Sequence, residues 1–149
     1  EPTAISTSDL ETVVTRGPAR RTPMNTALWI IAWLLAAAFL ASGVMKLAQP
    51  KEKLAAFGFG WVEDFSPGSV KAIGILEILA AVGLILPAAL DIVPVLVPLA
   101  ALGLVLLMIG AIITHLRRHE AKVIASPMVL LALAVLVAWG RFGPQSFTG

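Results

Sequence analysis

The chain has no cysteine at all. That excludes disulfides, thiolate nucleophiles, iron–sulfur ligation and cysteine zinc sites together. Charge is scarce too: 13% of residues are charged against about 25% in ordinary soluble domains. The net charge is only +2, so the pI of 9.4 reflects a few Lys and Arg residues and no nucleic-acid-binding face. No Ser-His-Asp set, no phosphate-cradling glycine loop and no paired carboxylates occur. Period-two alternation of polar and apolar residues is missing as well, which argues against a membrane β-barrel.

What the chain has instead is apolar surface. Of its 149 residues, 58% are hydrophobic, and the mean hydropathy is +0.92. A chain this short cannot bury so much apolar area in a soluble core, so lipid is the solvent it is built for. Four apolar spans are visible, at about 27–47, 67–90, 92–116 and 125–141. A helix needs about 20 residues to cross the hydrocarbon core. The fourth span is the shortest and draws on Val123 to Ser126 or thins the bilayer locally. The expected fold is all-α, an integral-membrane four-helix bundle running up-down-up-down through residues 24–143.

Ser66-Pro67 and Ser126-Pro127 each place an N-cap before a proline at the first helical position. Pro87 is expected to end the second helix, and Ala88 to Ile92 to form a tight return. Pro94 and Pro98 fall in the first turns of the third helix, which Pro98 should bend slightly. Residues 1–23 are rich in Ser, Thr, Pro, Glu and Arg and read as a mostly disordered polar tail. Met24 is an alternative start. The first span is too long for a signal-peptide core and lacks a cleavage site. Residues 144–149 form a short C-terminal tail.

Between the first two spans, Phe57, Phe59, Trp61 and Phe65 make an aromatic density that suits a membrane interface. Leu54, Phe57, Trp61 and Phe65 recur at three- and four-residue steps, the pattern of a short amphipathic piece lying on the membrane surface. Gly58 and Gly60 argue against one continuous helix there. The plainer reading is an aromatic plug over the end of the bundle.

Within the spans, one residue stands out. Glu77 is surrounded by Ile73-Gly74-Ile75-Leu76 and Ile78-Leu79-Ala80-Ala81, about 15 Å along a helix that starts at Pro67. An ionisable group at that depth costs roughly 3 kcal/mol even on forgiving insertion scales. The up-down-up-down order puts the end of the first helix and the end of the third on the side where the second begins. Lys46, Lys71, His115, Arg117, Arg118 and His119 all belong to that side. Lys46 is the natural partner, because its long stem reaches down while its ammonium stays near the headgroups; His115 is the other. An ion pair lowers the cost of Glu77 and keeps its carboxylate charged. Such a pair either staples two helices or lines a polar pocket open to one leaflet for a quinone headgroup, a proton or a small anion. His115, Arg117 and Arg118 are the pocket's further residues or lipid-headgroup contacts. His115 and His119 share a helix face at a four-residue spacing, but the surrounding Arg117, Arg118 and Lys122 would repel a cation, so no metal is expected.

Gly43, Gly74, Gly83, Gly103 and Gly110, with Ala32/Ala36 and Ala134/Ala138, read as close helix-packing positions, some of them facing other subunits. Seven Lys and Arg flank the spans on the loop side named above and four on the other, which favours cytoplasmic loops and outward termini.

Met24-Asn25-Thr26-Ala27-Leu28-Trp29, Ala41-Ser42-Gly43-Val44-Met45-Lys46-Leu47 and the run from Gly74 to Pro87 resemble the DoxX-like family of small four-helix membrane proteins. The Gly-x-x-Lys-Leu and Gly-x-x-Glu elements carry the match, over Met24 to about Gly143. The resemblance implies an integral membrane protein of the cell membrane in which Lys46 and Glu77 are the family's polar pair. Some relatives are the membrane subunit of a thiosulfate:quinone oxidoreductase, and others accompany redox enzymes. The resemblance transfers no catalytic residue and no resident cofactor, quinone being available only within a complex. The leading expectation is a non-catalytic accessory or anchoring subunit of a larger redox or respiratory membrane complex, among membrane lipids and other membrane-protein subunits. A quinone-linked oxidoreductase subunit using a Glu77/Lys46 pocket is the alternative. A small-molecule or lipid carrier is the third, although four helices are few for alternating access.

Overall fold

The computed structural model describes Ser6 and residues 22–147. Of the first 21 residues of the expected tail, all but Ser6 therefore lie outside the described residues, as do the last two of the chain. Four long helices cross the molecule: α1 (Pro23–Ala48), α3 (Pro67–Ala89), α4 (Leu96–Arg117) and α5 (Ala125–Phe142). A short helix, α2 (Lys51–Ala56), and a 3₁₀ turn (Gly60–Asp64) link α1 to α3. Among the described residues there is no strand. The four long helices are apolar and long enough to cross a membrane, α5 being the shortest at 18 residues, or about 27 Å. The molecule is an up-down-up-down membrane bundle.

Caps set most of the boundaries. Thr22 accepts a hydrogen bond from the Asn25 amide and Pro23 takes the first helical position, so α1 begins before Ala27. Ser66 caps α3 in the same way through the Ser69 amide. The expected cap at Ser126 does not form: Ile124 is the residue before α5, and Ser126 lies inside the first turn.

Three proline expectations are corrected. Pro87 does not end α3; it lies buried in the last turn, where the helix loses one amide donor and continues to Ala89. The chain then stops in a Schellman arrangement, with Asp91 at a φ of 53° and the Ile92 amide bonded to the Pro87 carbonyl. Pro94 precedes α4 instead of entering it. Pro98 is third in α4, where its missing amide would have no intrahelical partner, so it breaks no bond and requires no bend.

The core is made by Leu28, Leu35, Phe39, Leu84, Leu104 and Val137 with the small residues Ala32, Ala36, Ala101 and Ala134 between them. Small residues let the helices approach closely. The closest crossing is α1 on α3, where a Cβ on Gly43 would stand 2.6 Å from the Gly74 carbonyl oxygen. Gly83 meets Ala100 on α4, and Gly140 of α5 makes room for Leu28 of α1. Gly103 and Gly110 serve no close helix contact within the chain, since a Cβ on either would meet nothing within 4 Å.

Candidate functional site

The Gly43–Gly74 crossing creates the polar centre. Lys46 is three residues past Gly43 and Glu77 three past Gly74, on antiparallel helices. Helical Cβ atoms tilt toward the N-terminus, so Lys46 leans inward and Glu77 leans back toward the loop end. The two side chains converge: Lys46 Nζ donates to Glu77 Oε1 at 3.0 Å and to Oε2 at 2.9 Å. Nζ also donates to Ser42 Oγ, one turn back on α1. Both charged residues are buried, at 4% and 5% exposure.

The α1–α3 link covers this pair. α2 stops where Gly58 adopts a φ of 97°, a left-handed backbone that a side chain would resist. The break prevents Leu54, Phe57, Trp61 and Phe65 from sharing one helical face. Leu54 and Val62 are buried together with Val70, and Phe59, Trp61 and Phe65 pack against them. Phe57 points away and is exposed. The Phe59 and Trp61 ring centres lie 5.5 and 5.7 Å from Lys46 Nζ. Lys51 closes the link by donating to the Glu63 and Phe65 carbonyls.

The loop after α4 clasps the same region. His119, at a φ of 58°, ends α4 in a Schellman arrangement, and the Glu120 amide bonds back to the His115 carbonyl. That fold-back brings Glu120 Oε2 to 2.8 Å from His115 Nδ1. Arg118 Nε donates to Glu120 Oε1 at 2.9 Å and Arg118 donates to Asp64 Oδ2 at 2.8 Å, tying the two loops together. Hydrogen bonds from Arg118 and His115 hold the Glu120 carboxyl below its ordinary value, and Asp64 and Glu120 raise that of Arg118. Arg117 is exposed and makes no ion pair among the described residues, and Lys71 donates to the Leu47 carbonyl, so neither joins Glu77. His119 is also exposed.

A cavity of about 280 Å³ lies beside the ion pair. Lys46, Glu77, Thr114 and His115 form its polar end, Trp61 and Phe65 its lid, and Ile73, Leu106 and Ala111 part of its apolar wall. The family model of the DoxX-like family matches residues 30–137, which includes Lys46, the cavity and most of all four helices. The chain belongs to the DoxX-like family. Neither the curated proteins nor the solved structures gave a match.

The far end of this DoxX-like bundle holds a second buried cation that the sequence reading counted only as a flanking charge. Arg141 is 3% exposed and donates to Asn25 Oδ1 at 2.7 Å and to the Gln145 carbonyl. Its guanidinium stands 5.6 Å from the Trp29 ring and 4.0 Å from that of Phe147. Gln145 also bonds Thr22, so the segment after α5 is packed onto the start of α1. Ser42 and Asp64 were likewise missed: Asp64 lies in an ordinary polar loop, and only the four-residue step to Lys46 hinted at Ser42 within its apolar span.

Proposed function

We propose that this DoxX-like protein is a non-catalytic accessory or anchoring subunit of a larger, redox-linked assembly of the cell membrane. One observation carries the reading. Gly43, Gly74, Gly83 and Gly140 each serve a contact inside the bundle, whereas Gly103 has open space before it. Gly103 opens into an apolar groove of about 560 Å³ between α3 and α4, walled by Leu76, Leu79, Leu99 and Leu106. A glycine face without a neighbour suits a helix from another subunit. The redox link draws on the family resemblance. Purification from native membranes in mild detergent tests the proposal: redox-cofactor-bearing subunits should co-purify, and Gly103→Leu should release them. A stable monomer that elutes alone contradicts it.

The cavity favours a second reading, a quinone-linked oxidoreductase subunit. Its test is Glu77→Gln in the reconstituted complex, where unchanged quinone reduction removes the idea. The fit of an oxidised quinone is poor on one count: its carbonyls need donors, and the three N–H donors of Lys46 already serve Ser42 and both Glu77 oxygens.

A further inference from the structure

The polar end of the cavity has an uneven supply of hydrogen-bonding groups. An ammonium has three donors and no acceptor. All three of Lys46 are spent within the protein. Thr114 Oγ1 donates its only proton to the Gly110 carbonyl, which leaves its lone pairs. His115 directs Nδ1 to the Glu120 carboxylate at 2.8 Å, so that nitrogen is committed outside the cavity. Glu77 retains lone pairs beyond the two that Lys46 uses. At this polar end Glu77 and Thr114 thus offer acceptors, and Lys46, Glu77 and Thr114 hold no uncommitted donor. Its charges cancel as a Lys46–Glu77 pair, and its lid and walls are aromatic and aliphatic.

We infer that this cavity is a binding site for a neutral, membrane-soluble molecule whose headgroup presents hydroxyl or amine donors, a phenol or alcohol in the simplest case. Anions find no free cation here, and a headgroup that only accepts hydrogen bonds leaves Glu77 and Thr114 without a new partner. A small ring fits between Trp61 and Phe65 at the lid and Leu106 and Ala111 at the wall. The inference rests on the cavity alone and is independent of membership in a larger complex.

Fluorine NMR on the protein alone in lipid nanodiscs, with empty nanodiscs as reference, tests it with three probes. Para-fluorophenol carries the donor, para-fluoroanisole has nearly the same shape without it, and para-fluorobenzoate is the anion. Saturable fluorophenol binding is expected, about tenfold tighter than fluoroanisole, as one hydrogen bond of about 1.4 kcal/mol requires. Ala111→Phe, which fills the cavity, should abolish it; Gly110→Leu serves if that variant does not fold. Equal affinity for phenol and anisole, tighter binding of the benzoate, absence of saturable phenol binding, or binding that survives the filled cavity each overturns the inference. The ranking of probes decides the matter should neither variant fold. Failure here leaves the co-purification result untouched.

Discussion

At the scale of single residues, two glycines decide where the charges meet. Gly43 and Gly74 let α1 and α3 approach until a Cβ on either would stand under 3 Å from the opposite carbonyl oxygen. Gly74→Ala would also press on the Lys46 Cβ. Each Gly→Ala change should destabilise the bundle by about 1–3 kcal/mol, as overpacking does, read from thermal melts in detergent. Gly103→Ala should leave the isolated chain within about 0.5 kcal/mol of wild type, since nothing lies within 4 Å of the new methyl. Much of this was legible. An acid alone in an apolar run demands a partner, and Lys46 is the lysine that ends a neighbouring span on the right side. Arg141 was not legible, because a basic residue at the end of a span ordinarily snorkels to the headgroups. Its burial depends on Gln145 and Phe147 folding back over it, and no local pattern announces that.

At the scale of elements, caps and loops hold the site. Ser66→Ala removes the hydrogen bond to the Ser69 amide and should cost α3 about 1 kcal/mol. The clasp between the loops should depend on pH in one direction. The Glu120 carboxyl titrates below its ordinary value of 4.5 when folded. Its contribution is therefore fully present above that value and is lost as pH falls through the lowered one. Arg118 stays charged throughout. Hydrogen-exchange protection factors of residues 60–65, corrected for the intrinsic pH dependence of exchange, should accordingly be unchanged from pH 8 to pH 5.5 and fall only in the carboxylate range below about 4.5. The helix-boundary expectations failed for local reasons. Pro87 and Pro98 were read as a stop and a bend, yet each occupies a turn where little or nothing is lost by lacking an amide. For the aromatic run the sequence leaves an amphipathic surface piece beside an aromatic plug, with Gly58 against one continuous helix; the left-handed turn at Gly58 sends Phe57 outward.

At the scale of the whole molecule, the bundle is a membrane protein with two polar ends of different character. One end pairs Lys46 with Glu77 beside a cavity; the other surrounds Arg141 with carbonyl oxygens and rings. Class and topology were readable because four apolar spans joined by short loops permit few arrangements. The cavity was not readable, since it exists only where α1, α3 and α4 meet under the Trp61 lid. The central claim is that Lys46 and Glu77 act as one unit joining α1 to α3. A double-mutant cycle on thermal stability in nanodiscs, with Lys46→Met, Glu77→Leu and the pair together, measures it most directly. Each single change should cost about 3–5 kcal/mol by leaving one charge buried without its partner, and the double variant should cost far less than their sum. Additive losses from the two single variants would contradict the account.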